Sequence, residues 1–119
     1  SGGVPEPFAA RVRERVGART PLLSAMVAFD GSTGIPFDAA SFDDPVVWFA
    51  ARSNSKPGMM EAGQRECWTL VSTPEYALAQ IEETPMQDPT TGAFVPQSAE
   101  YLTAVAADLL AAFRALLLR

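Results

Sequence analysis

Few side chains in this sequence are equipped for chemistry, and their spacing narrows the choice further. There is no histidine among the 119 residues. That removes imidazole acid–base catalysis, Ser-His dyads and most transition-metal sites. The single cysteine, Cys67, excludes an internal disulfide and any Cys-x-x-Cys site. In a predicted strand beside Trp68, a buried, inert thiol is the simpler reading. Asp43-Asp44 and Glu82-Glu83 are adjacent carboxylates. Adjacent residues on a strand or helix point apart, so neither pair shares a proton by itself. Gly31-Ser32-Thr33-Gly34 lacks the lysine that should follow in a phosphate-binding loop, and no Gly-x-Gly-x-x-Gly occurs. The residues thus nominate no catalytic group, no cofactor-binding group and no metal ligand.

Three residues remain as candidate substrate-face or loop contacts: Trp48, Lys56 and Trp68. Lys56 precedes Pro57-Gly58 in a polar loop, where it either holds an anion or is simply solvated. Trp48 and Trp68 fall on neighbouring strands, where they stack on a ligand or pack the sheet.

The elements that must position these residues follow from punctuation and periodicity. Pro5 to Val16 reads as a short amphipathic helix, with Pro7 near its start, Glu6 at its positive end and Gly17 as its stop. Phe8, Val12 and Val16 form one apolar stripe on it. Arg11, Arg13, Arg15 and Arg19 read as solvated charges of the same segment. Leu22 to Phe29 is an apolar run closed by Asp30-Gly31, which predicts a buried strand. Gly34 to Phe37 reads as loop or a short edge piece. Val46 to Arg52 and Glu66 to Ser72 are two further strands, joined by the long Ser53–Arg65 loop. In the last strand, alternation puts Glu66, Trp68, Leu70 and Ser72 on one face and Cys67, Thr69 and Val71 on the other. Three successive strands without intervening helices argue for antiparallel pairing.

Thr73 is a good N-cap and Pro74 a good first helical residue. That helix should end by Thr84, ahead of Pro85. Pro85 to Pro96 is loop. Gln97 to Leu118 predicts the longest helix, with Leu102, Val105, Ala106, Leu109, Phe113, Leu116 and Leu117 on its apolar side. Asp108 and Arg114 interrupt it, and each costs ~3 kcal/mol at a bilayer centre, so no transmembrane segment is expected. The apolar side from Leu102 to Leu117 packs on a sheet or docks on a protein partner. The expectation is one α+β domain over residues 1–119, its core at about 20–118. It has a small, mainly antiparallel sheet with helices packed on one face, a short N-terminal helix and a long C-terminal one.

Composition excludes some functions outright. The chain is 48% hydrophobic and 19% charged, which suits one globular domain with a real core. Its net charge of −5 gives no electrostatic footprint for nucleic acid or anionic membranes. Nothing reads as a signal peptide, and the start at Ser1 implies a processed, trimmed or excised chain.

Several segments, taken in order, resemble the renalase-like FAD-dependent amine oxidases. They are Ala25-Met26-Val27-Ala28-Phe29-Asp30, Gly34-Ile35-Pro36-Phe37, the Trp48–Gly58 stretch with Ser55-Lys56-Pro57-Gly58, and Cys67 to Tyr76. The last contains Trp68-Thr69-Leu70-Val71-Ser72-Thr73-Pro74-Glu75-Tyr76, and the helix carries Leu109-Leu110-Ala111-Ala112-Phe113. The likeness runs from about Leu22 to Leu117. It implies the substrate-domain portion of such an oxidoreductase, a mixed sheet flanked by helices. FAD is implied for the full-length family, but the flavin fingerprint and the flavin-contacting C-terminal segment have no counterpart in this chain. Family members often carry histidine where Val71 stands, so an apolar side chain replaces a polar one. The resemblance therefore implies a substrate-domain-like module that is not catalytic by itself. The alternatives are an accessory or structural subunit of a larger assembly that reuses the fold, and part of an active flavin amine oxidase completed by another chain.

Overall fold

The structure is a computed structural model that describes residues 3–17, 19–59 and 65–118. Its element order is α1 (Glu6–Arg15), β1 (Ser24–Phe29), β2 (Ala39–Ser41), β3 (Val47–Arg52), β4 (Glu66–Ser72), α2 (Pro74–Glu83) and α3 (Ala99–Leu117). The four strands form one antiparallel sheet in the order β1-β4-β3-β2. The α+β architecture expected from the sequence is present, with the short N-terminal and long C-terminal helices in place.

The alternation read from β4 sets the layering. Trp68, Leu70 and Ser72 are buried, whereas Cys67, Thr69 and Val71 are only half-buried. Cross-strand partners must share a face. Ala25 and Ala50 both stand opposite Leu70 and join it in the core, and Val27 stands opposite Trp68. Against this face α3 lays Val105, Leu109 and Phe113, spaced one helical turn apart and all buried. The aromatic centre is Trp68, its ring centroid 5.4 Å from Phe113 and 5.8 Å from Phe37. The Ile35–Phe42 segment crosses the same side, with Phe42 edge-on to Phe113 at 6.3 Å.

Two helices begin as their sequences dictate. The Thr73 hydroxyl accepts from the Tyr76 N–H at 3.2 Å and donates to the Pro45 carbonyl at 2.7 Å, fixing α2 to the start of β3. Ser98 caps α3 by accepting from the Tyr101 N–H at 3.1 Å. α2 ends at Glu83, with Thr84 as its C-cap ahead of Pro85. It touches the body through buried Ala77 and through Tyr76, whose hydroxyl donates to Asp108 of α3 at 2.7 Å. Burial, then this hydrogen bond and the carboxylate charge, push the Tyr76 phenol well above its ordinary value.

β1, expected as a buried strand, is an edge strand that buries only Ala25 and leaves Met26 86% exposed, because no further strand or helix among the described residues covers its outer face. Three further details depart from the sequence expectation. A fourth strand, β2, is present at the edge. It has only three residues, Ala39-Ala40-Ser41, and no strand-forming side chain marks it. It exists because β3 pairs with it: Phe42 N–H donates to the Trp48 carbonyl at 2.9 Å and Arg52 N–H to the Asp38 carbonyl at 2.7 Å. Secondly, α1 ends at an extended Val16, and Gly17 is not in the left-handed conformation of a glycine cap. Thirdly, Leu102 is 49% exposed, so the apolar face that α3 buries begins one turn later, at Val105.

Candidate functional site

The side of the sheet that α3 does not cover is the distinctive surface of the molecule. Ser24, Met26 and Ala28 of β1, Cys67, Thr69 and Val71 of β4, and Phe49 and Ala51 of β3 share it by register. A β-bulge between Val47 and Phe49 enlarges it. Without the bulge, Trp48 and Phe49 would point to opposite faces. The extra residue leaves both exposed, at 46% and 40%, while Val47 stays buried. Asp44 anchors this entry into the strand, its carboxylate accepting from the N–H groups of Val46 and Val47 at 2.9 and 3.0 Å.

Two shallow depressions mark the open face. One, of about 390 Å³, is lined by Leu22, Ser41, Trp48, Phe49 and Val71 and is almost wholly apolar. The other, of about 330 Å³, lies at the far end of the strands, where Met26, Met59, Cys67 and Thr69 meet Lys56. Leu22, Met26, Trp48, Phe49 and Met59 are all exposed around these two depressions, an accumulation of apolar surface of the kind that marks binding faces.

The three candidate contacts are thereby separated. Trp48 lies at one end of the open face and Lys56 at the other. Trp68 is on the opposite side of the sheet, with no exposed surface, and is a core residue. The setting of Lys56 follows from turn chemistry: Met59 N–H donates to the Lys56 carbonyl at 3.0 Å across Pro57-Gly58, and Gly58 has φ 80°. A proline followed by a glycine at positive φ defines a type II turn. Cys67 is half-buried on the open face rather than enclosed, and its Sγ lies 3.6 Å from the Arg65 carbonyl. Its N–H donates to Asn54 at 2.7 Å, which ties the Ser53–Ser55 turn to β4.

A charged cluster on the covered side was not anticipated from the residue types. Arg52 stacks over Trp68, its guanidinium carbon 4.9 Å from the ring centroid. Its Nη1 donates to Asp38 at 2.6 Å and its Nη2 to the Ile35 carbonyl at 2.7 Å. The Nε lies 3.5 Å from Glu66 without a formed hydrogen bond, so that pairing is coulombic. Glu66 accepts from the Trp68 indole N–H at 2.8 Å and from the Thr33 hydroxyl. Burial alone would raise the Glu66 carboxyl. The donors from Thr33 and Trp68, with Arg52 nearby, outweigh it and hold the carboxyl below its ordinary value. Ser55 also donates to Asp38, at 2.7 Å. The cluster pins the Thr33–Asp38 loop over the core. A signal for it existed in the sequence: alternation places Glu66 on the same face as Trp68 and Leu70, where a carboxylate needs partners.

The glycine-rich turn before β2 is not built as a pyrophosphate cradle. The two glycines of Gly31-Ser32-Thr33-Gly34 lead into edge strand β2, not a helix N-terminus, and Ile35 N–H is taken by Thr33 at 3.2 Å. Among the described residues no group of three or more His, Cys, Asp or Glu could hold a metal ion, and no helix is long and apolar enough to cross a membrane. No family model matches the chain, and no curated protein or solved structure is significantly similar to it.

Proposed function

We propose that this chain is a non-catalytic, substrate-domain-like module of a renalase-like FAD-dependent oxidoreductase, which any flavin-binding part must complete. The observation that carries the reading is the open apolar sheet face, backed on its other side by α3. A substrate-domain sheet has to present one free face to the cavity it roofs. Here that face carries Trp48, Phe49 and Val71, so an apolar substrate portion is the class it suits. Val71 replaces the polar residue that the family resemblance implies, so the face contributes shape and water exclusion rather than proton transfer. Lys56, at the far end of the same face, is the candidate for an anionic substrate group.

Titrating the purified chain with FAD tests the non-catalytic part. The expected spectrum is that of free flavin; a bound, reducible flavin overturns it. A chimera tests the kinship. Residues 22–117 replacing the substrate-domain segment of an authentic renalase-like enzyme should give a folded protein that keeps its flavin. A folded chimera that loses flavin counts against the reading.

A second reading, an accessory subunit in a larger assembly, is favoured by one further observation: β1 is a bare edge. The Ser72 N–H donates to the Leu23 carbonyl at 2.7 Å, so that pair is hydrogen-bonded. By alternation Ser24, Met26 and Ala28 then aim their backbone groups outward, away from β4. The strand reads Ser-Ala-Met-Val-Ala-Phe, with no charge or proline to block another strand. Sizing over a dilution series tests this: concentration-dependent association, abolished by Ser24→Pro, supports it, and a monomer at every concentration opposes it.

A further inference from the structure

We propose that α1 is a lid, hinged at Gly17, poised to close over the open sheet face of its own chain. Two apolar surfaces lie open in one molecule. On α1, Phe8, Val12 and Val16 are 59%, 42% and 65% exposed, and the helix buries none of its residues. On the sheet, Met26, Trp48 and Phe49 are 86%, 46% and 40% exposed. A helix of 10 residues is marginal in water and owes its persistence to packing of its apolar side. The open face supplies what α1 needs, and α1 supplies what the face needs.

The dimensions agree. Successive stripe residues on α1 are four apart, about 6 Å along a helix axis. Val71, Thr69 and Cys67 are two apart on β4, roughly 6.6 Å along a strand. Three side chains of the helix therefore keep step with three of the strand. The tether also suffices. Residues 17–21 join Val16 to Leu22, and six such steps reach about 20 Å. Leu22 already lies on the open face beside Trp48, Phe49 and Val71. The chain thus delivers the Val16 end of α1 to the Val71 end of the sheet. Laid back along β4, the helix brings Phe8 towards Cys67. Nothing crowds Gly17, so the hinge is sterically free. Arg11 and Arg15 flank the stripe, and their stems widen the cover while their charged heads reach the rim. A partner that engages the face must displace α1. The lid requires only these two exposed surfaces and does not depend on the flavoprotein reading.

Cys67, the only native thiol, provides the test in the full chain. In a Phe8→Cys variant, mild oxidation of a dilute solution should give an intrachain disulfide with Cys67, and adding Val12→Asp should suppress it. In the otherwise native chain, Val12→Asp should speed modification of Cys67 by a thiol reagent about tenfold, the signature of losing a local closed state. Small-angle scattering should give a wild-type radius of gyration below the 18.5 Å of the open form, rising on Val12→Asp. Interchain disulfides that dominate would mean a second copy covers the face, and would overturn the lid. So would free thiols in a folded Phe8→Cys protein, or Cys67 reacting equally fast with and without Val12→Asp.

Discussion

Glu66 and Arg52 are the residues whose chemistry the fold uses most tightly. Their side chains are 13% and 18% exposed, and burying such charges is costly unless each is fully engaged. Glu66 accepts from Trp68 and Thr33; Arg52 donates to Asp38 and Ile35. Folding lowers the Glu66 pKa below 4.5. Its stabilisation is therefore present above that pH and lost as pH falls through the lower folded value. Glu66→Gln should destabilise the protein at neutral pH by about 1.5–3 kcal/mol, the range for hydrogen bonds to charged groups. It should also flatten the acid limb of stability below pH 4.5, as read from urea midpoints at a series of pH values. Arg52→Lys keeps the charge but loses the planar fork and the stack on Trp68. It should cost roughly 1–3 kcal/mol in the same measurement. A neutral outcome for both variants would mean that the Thr33–Asp38 loop is held by its apolar contacts alone.

At the scale of elements, capping and periodicity decide more than propensity. Thr73 serves two elements at once, accepting from Tyr76 and donating to Pro45, so Thr73→Ala should cost about 1–2 kcal/mol in thermal unfolding. Thr73→Ser should recover most of it, because the hydroxyl is retained. Along α3 the contrast is between Phe113, fully buried against Trp68, and Leu102, 49% exposed. Phe113→Ala should cost about 3–5 kcal/mol. Leu102→Ala should stay within about 0.5 kcal/mol, as surface changes do. Equal losses at the two positions would place Leu102 in a contact that the fold does not show. The bulge at Trp48 is the element-level device that builds the candidate site, since it turns two large aromatics onto one face.

For the whole molecule, one sheet face is sealed and the other is open. The radius of gyration of 18.5 Å exceeds the about 13.5 Å of a compact chain of this length. α1 buries none of its residues, in keeping with that openness. This asymmetry distinguishes the two functional readings. A roof over a substrate cavity needs the open face itself, whereas an assembly subunit can also use the bare edge of β1. Phe49→Asp should abolish partner engagement through the face, while Ser24→Pro, which removes an outward N–H of β1 without removing an apolar side chain, should abolish only edge pairing. Co-purification and sizing of the two variants separate these outcomes.

The sequence by itself determined the three helices, three of the four strands and the faces of β4. Those features rest on local chemistry: the Thr73-Pro74 start, the Asp30-Gly31 end, the period of two from Glu66 to Ser72, the four-residue spacing of Val105, Leu109 and Phe113. Lys56-Pro57-Gly58 reads in sequence only as polar loop; the structure makes it a type II turn, whose two central backbone angles suit proline and glycine. Only the tertiary structure decided what local patterns do not encode. Ala39–Ser41 becomes a strand because β3 offers it hydrogen bonds, not because of its own side chains. Trp48 and Trp68 look alike in the sequence, yet the bulge sends one outward and alternation sends the other into the core. Charge partners such as Arg52 and Asp38, 14 residues apart, meet only when the sheet brings their strand and loop together. The residues nominated no catalytic group. What the fold adds is a surface: an apolar sheet face that one helix cannot cover, because α3 can bury its stripe on only one side of a two-sided layer.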